Sequence, residues 1–224
     1  MFRRFCRLTI ALSLSLGAIA STADARGFAR APVPAPITIV EAQPPALSDA
    51  QRATLKKILA ARRAKNVKTF RDYARRGVYP RNYITNGALN VWIDGDGRMC
   101  AAATMMWKSG AKALVRQVAK DDNFIRLADV TGGPLLDWIL MSGLTHAEVV
   151  AIQVPMVGMP ERGIELPVEN LEDWRIAADA RLRAVYEVTL GDLTKRRAAS
   201  LDAAIDALAA RPDLVHRLLA QKAA

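Results

Sequence analysis

Ser48-Asp49-Ala50-Gln51-Arg52-Ala53-Thr54-Leu55-Lys56-Lys57-Ile58-Leu59 is where the chain begins to specify structure. Ser48 followed three residues later by Gln51 is a capping box, in which each side chain satisfies the other residue's backbone N–H at a helix start. Leu55, Ile58 and Leu59 follow on one helical face. The pattern predicts a helix to about Ala64 and a second near Lys68 to Arg76 that buries Phe70, Tyr73 and Ala74. Gly77 suits a left-handed C-cap, with Tyr73 and Val78 spaced for its usual apolar contact.

Downstream, the turn signals Asn86-Gly87 and Asp94-Gly95-Asp96-Gly97 flank Leu89-Asn90-Val91-Trp92-Ile93, the one convincing strand. Helical spacing resumes at Cys100, Ala101, Met105 and Met106, breaks at Gly110 and returns at Leu114, Val115 and Val118, which predicts a helical hairpin. Pro134 can start the helix carrying Leu135, Leu136, Trp138 and Ile139, which Gly143 stops. Thr145-His146-Ala147-Glu148 is a second capping box, with Leu144 and Val149 at staple positions, and its helix reaches Gln153. Leu171, Trp174, Ala178, Leu182 and Val185 predict a long helix to Leu190, interrupted at Gly191. Leu193, Leu201, Ile205 and Leu208 mark a return helix, and Pro212 separates a last one with Leu214, Leu218 and Leu219.

Composition agrees with helices: 51% of the 224 residues are hydrophobic but only 6% aromatic, and the apolar share is rich in Ala and Leu. The fold expected is mainly α, a helical domain with at most a short strand or hairpin, plus a C-terminal helical hairpin. Residues 47–160 form the helical module and 161–224 the hairpin, which can pack into the same domain. Pro155, Pro160 and Pro167 make the junction irregular.

Upstream, Arg3, Arg4 and Arg7 precede the apolar run Leu8 to Ala20, and the small-residue triplet Ala23-Asp24-Ala25 closes it. That is the pattern of a secretory signal peptide over residues 1–25, cleaved before Arg26. The expected location is periplasmic or secreted, which sets aside nucleotide-driven chemistry. Residues 26–46, with Pro32, Pro34, Pro36, Pro44 and Pro45, read as a Pro-rich arm or linker.

The formal charge of +10 falls to about +8 without the leader. Arg52 to Arg81 holds eleven Lys or Arg against the single acid Asp72, so the rest of the mature chain is near −2. Arg52, Lys56 and Arg63 share one flank of the first helix, and Lys68, Arg71 and Arg75 one face of the second. Merged, they form a basic surface for an anionic lipid, lipopolysaccharide or cell-wall polymer.

Chemistry has one candidate nucleophile. Cys6 leaves with the leader, so Cys100 is a lone exported thiol, and its place at a helix start near Arg98 favours a thiolate. A thiol enzyme also needs a base, for which His146 is the candidate; its position in a capped first turn suits exposure instead. Cys100 on the apolar side of its helix reads as a buried structural thiol. The Asp94-Gly95-Asp96-Gly97 turn fails as a calcium loop, since Trp92 and Ala103 stand where acids are required. Met99, Met105, Met106, Met156 and Met159 fit core filling better than copper, and no zinc ligand set is recognisable. Glu161 and Glu165 could line a cleft, but the lytic transglycosylase signature is missing.

Gly97-Arg98-Met99-Cys100-Ala101-Ala102-Ala103, Asp122-Asn123, Gly143-Leu144-Thr145 with Glu148, and Ile152-Gln153 resemble a block shared by a group of exported bacterial proteins of no assigned activity. The block spans roughly Asn86 to Pro155, and this chain departs from it at Asp122 and Val154. The resemblance implies a common helical module and no substrate. The expectation is therefore a non-catalytic exported binding protein without cofactor or metal, with a thiol enzyme using Cys100 and His146 as the alternative.

Overall fold

One helix organises the molecule. In a computed structural model, which describes residues 46–158 and 168–221 with the side chains of 168–171 excepted, α1 runs unbroken over Asp49–Arg76, about 42 Å. Ser48 and Gln51 close its capping box, with Gln51 N–H donating to Ser48 Oγ at 3.2 Å and Ser48 N–H to Gln51 Oε1 at 2.9 Å. Gly77 ends it at φ 67°.

The break expected between Ala64 and Lys68 is absent. The buried face of α1 continues through Leu59, Arg63, Asn66 and Phe70, at the intervals a single helix requires. Two of those four positions are polar, so the apolar period lapses while the helix does not.

Seven further α-helices are present among the described residues: α2 (Ala101–Lys108), α3 (Lys112–Asp121), α4 (Gly133–Met141), α5 (His146–Ile152), α6 (Val168–Lys195), α7 (Arg197–Ala209) and α8 (Pro212–Ala220), with a 3-10 turn at Leu127–Asp129. The mainly helical class and the closing run of helices are as expected. Gly191 does not interrupt α6, which continues to Lys195, so Leu193 belongs to it; the return helix starts at Arg197. A glycine inside a helix costs only about 1 kcal/mol, and Leu182, Tyr186, Thr189 and Leu193 bury one face across it.

Two apolar clusters flank the spine. Around its C-terminal half, Phe70, Tyr73 and Ala74 pack with α2, α5 and α6 and with Tyr79 and Trp92. Phe70 and Tyr186 meet edge-on with ring centroids 5.2 Å apart, and Tyr73, Tyr79 and Tyr186 pack at 5.3–5.7 Å. Around the N-terminal half, Leu55 and Leu59 pack with Leu201, Ile205 and Leu208 of α7 and Leu214 and Leu218 of α8. The described helices belong to one compact unit.

Leu89–Ile93 is no strand. Only isolated bridges occur, Leu89 with Met156, Ile93 with Met99 and Asn82 with Gly158. Trp92 is wholly buried and donates from its indole to Val115 O at 3.1 Å. What replaces a neighbouring strand is the Asn123 side chain, which accepts from Ile93 N–H at 3.0 Å and donates to Ile93 O at 2.8 Å.

The Gly77 cap also differs in detail. Val78 stays exposed, and Tyr79 takes the apolar contact with Tyr73 and donates from its hydroxyl to Ala74 O. The leader, residues 1–25, and the Pro-rich arm, residues 26–46, lie outside the described residues except for Ala46 at the arm's end, as do Met159, Glu161 and Glu165.

Candidate functional site

Cys100 is the N-cap of α2, its sulfur accepting from Ala103 N–H at 3.4 Å. It is 2% exposed, and burial pushes its thiol up to about 12, against the opposing pull of the helix-start N–H groups. Desolvation therefore outweighs the helix terminus here, which leaves a neutral thiol at physiological pH.

His146 is not the exposed residue expected. It is partly buried, and its Nε2 lies 2.7 Å from Leu127 O, which requires that nitrogen to carry the proton. The ring fastens the 3-10 turn to α5. Among the described hydrogen bonds none joins Cys100 to a histidine, so the chain of base and nucleophile that the thiol-enzyme alternative needs is not assembled.

Asp94 of the glycine-rich turn is likewise a backbone clip. Its Oδ1 accepts from the N–H groups of Asp96 and Arg98 at 2.9 and 2.8 Å, and its Oδ2 from Arg81 N–H at 3.0 Å. No cluster of acids, histidines and cysteines able to hold a metal occurs among the described residues. Met105, Met106 and Met156 fill the core and Met99 packs against it.

The densest polar constellation joins α1 to α5. Arg63, 2% exposed, makes a two-pronged pair with Glu148, Nη1 to Oε2 at 2.6 Å and Nη2 to Oε1 at 2.7 Å, and Nη2 also donates to Leu193 O at 2.9 Å. Burial opposes the charged form of Glu148. The Arg63 fork, with Thr145 N–H and Ser200, overcomes it and holds the carboxyl below its ordinary range. Asn66 donates to Ser142 O at 2.9 Å. Arg63 is therefore withdrawn from the surface patch.

Gln153 repeats the device of Asn123, accepting from Leu127 N–H at 2.8 Å and donating to Ile125 O at 2.8 Å. Sequence reasoning did not foresee these pairings. The available signal was the placing of Arg63 and Asn66 on the same helical face as Leu55, Leu59 and Phe70.

The basic residues sort onto two faces of α1. On the inner flank Arg52 pairs with Asp206 and Lys56 with Asp202 at 2.7 Å, both acids on α7. Beyond α1, Arg81 pairs with Asp179 of α6. Acids from the rest of the chain, Glu148 included, thus pair with four of the eleven cations of the basic segment.

The outer face differs. Lys57, Ala61, Ala64, Lys68, Arg71 and Arg75 recur at intervals of three and four, all exposed, with Lys65 and Arg76 exposed beside them. The only acid of α1 beyond its first turn is Asp72, which both Lys68 and Arg75 reach at 2.6 Å. Six cations against one carboxylate line about 28 Å of helix.

Arg62, between the faces, donates to Met141 O and Gln221 Oε1 at the ends of α4 and α8. With Lys65, Asn66 and Trp138 it lines a depression of about 240 Å3. Of the six residues predicted to meet an anion, Lys68, Arg71 and Arg75 share the exposed stripe, Arg52 and Lys56 are paired beside it, and Arg63 is interior. No protein-family model matches the chain, nor does any curated protein or solved structure.

Proposed function

We propose that the protein is an exported, non-catalytic binding protein whose outer α1 face meets an anionic partner of the cell envelope. The observation that supports it is the stripe of Lys57, Lys65, Lys68, Arg71, Arg75 and Arg76, exposed together, with Asp72 the one acid paired to it among the described residues. A helix face of one sign, backed by a rigid core, concentrates potential along a line and attracts an extended polyanion or a charged surface. The buried, neutral Cys100 thiol favours this over catalysis.

The test is salt-dependent binding of a soluble polyanion, dextran sulfate, by the wild type and a K57Q/K68Q/R71Q/R75Q variant. The wild type should bind progressively less between low and physiological salt, and the variant should lose at least about tenfold at low salt. Both should give the same helical circular dichroism. Equal binding by the variant would remove the stripe as the site. Export is checked separately by N-terminal sequencing of protein recovered outside the cytoplasm, with Arg26 expected first; an intact Met1 would contradict it.

A further inference from the structure

We infer that the anionic partner is a lipid bilayer surface, engaged by the α1 stripe together with an apolar prong formed by Val78, Tyr83 and Ile84. The inference rests on the reading of the stripe just given and names its partner. Six large hydrophobic residues are exposed among the described residues, and three of them fall within seven positions that start two residues after Arg76: Val78 at 58%, Tyr83 at 44% and Ile84 at 64%. Scattered exposed apolar side chains need no explanation, but three that follow the end of a basic stripe so closely in the chain do.

The segment that carries them is fastened to the fold. Tyr79 and Asn82 are wholly buried, Tyr79 bonded to Ala74 O and the Asn82 side chain accepting from the N–H groups of Ile84 and Thr85 at 3.0 and 3.1 Å. Arg81 is fastened to Asp179 and, through its N–H, to Asp94. The run from Tyr79 to Asn82 is thus anchored inward. Val78, Tyr83 and Ile84 project from that anchored loop, so their exposure follows from the fold.

Cations with an adjacent aliphatic and tyrosyl group match the two layers of a bilayer interface. Lys and Arg are attracted by anionic headgroups, while Ile and Val enter the acyl boundary and Tyr, with an apolar ring and a polar hydroxyl, suits the level between them. Ala61 and Ala64 keep the middle of the stripe low, so the flanking lysines and arginines can reach a flat surface. A soluble polymer would use the cations and gain nothing from the prong. That difference makes lipid the better fit.

The experiment compares the protein recovered after export with two variants, V78S/Y83S/I84S and the stripe variant K57Q/K68Q/R71Q/R75Q, using sedimentation with vesicles and binding to dextran sulfate. Vesicles are of neutral phosphatidylcholine, or of phosphatidylcholine with about a third phosphatidylglycerol. The wild type should sediment with the anionic vesicles and not with the neutral ones. The prong variant should lose about tenfold or more in vesicle affinity and keep its binding to dextran sulfate, whereas the stripe variant should lose both.

A prong variant that binds anionic vesicles as the wild type does would overturn the lipid assignment and leave the stripe in place. Binding of dextran sulfate without binding of vesicles would do the same, and would favour a soluble polymer. A stripe variant that retains both would instead overturn the proposed function itself. Because all substituted side chains are exposed, the fold should survive. The single variant I84D, which places a charge at the most exposed prong residue, supplies a second reading with minimal disturbance: it should weaken vesicle binding at unchanged polymer binding.

Discussion

At the residue scale Gly143 combines a left-handed backbone with a close approach to another helix. It sits at φ 81°, and a Cβ there would lie 2.1 Å from Leu59 O and 2.8 Å from Arg63 N. The glycine lets the α4–α5 turn rest directly on the α1 backbone. Gly143→Ala should therefore cost about 2–5 kcal/mol, from left-handed strain and from displacement of the turn, measured by urea denaturation; a loss under about 1 kcal/mol would show that the turn can move away.

Glu148 carries the second prediction. Glu148→Gln leaves Arg63 buried without its carboxylate, which should cost about 3–5 kcal/mol at pH 7. The wild-type carboxyl is held below its ordinary range, so its contribution is complete above about pH 4.3 and is lost as pH falls through the lowered folded value. The gap between wild type and variant should accordingly narrow in acid and stay constant from pH 6 to 8. A gap that widened in acid would reverse the sign and exclude the carboxylate as its source.

At the element scale, irregular backbone is secured by side-chain amides. Asn123→Ala removes both bonds to Ile93, leaves its N–H and C=O unpartnered in a half-buried loop, and should destabilise by about 1–3 kcal/mol. Hydrogen exchange should accelerate at Trp92 and Ile93 well before α1; uniform acceleration would mean that the loop has no separate opening.

The same elements show what sequence could reveal. Both capping boxes, the Gly110 and Gly77 stops and the Pro134 and Pro212 starts were legible, because each depends on chemistry within four or five residues. The continuity of α1 was not. Arg63 and Asn66 occupy its buried face for the sake of Glu148 and Ser142, about eighty positions away, and no local pattern announces such partners. For the same reason Leu89–Ile93 read as a strand: its alternation is real, but the groups that satisfy its backbone come from Cys100, Asn123 and Met156. Of the candidate site, the cations were visible and their division into an inner and an outer face was not, since the acids that neutralise the inner ones lie on α7.

At the scale of the whole molecule, α1 is the one helix among the described residues that gives buried side chains to both apolar clusters, with Leu55 and Leu59 at one end and Phe70 and Tyr73 at the other. The Arg63–Glu148 pair sits between them and ties α1 to α5, while Arg62 ties it to the ends of α4 and α8. A helix cannot lose one half of its burial without exposing the other to fraying, because helix stability in proteins comes mostly from tertiary packing. The two clusters should therefore melt together.

Leu59→Ala and Phe70→Ala test this from opposite ends, each creating a cavity at a fully buried site and costing about 2–5 kcal/mol. Each should move a single cooperative transition, seen alike by far-UV circular dichroism and by tryptophan fluorescence. Of the four tryptophans, Trp92 lies within the C-terminal cluster and Trp107 and Trp138 pack against it, so fluorescence reports mainly that cluster and the decisive reading is its response to the distant Leu59 change. A Leu59→Ala protein that lost helix in one step and released Trp92 in a later, unshifted one would show two independent cores, and α1 would then be a linker between them rather than a spine.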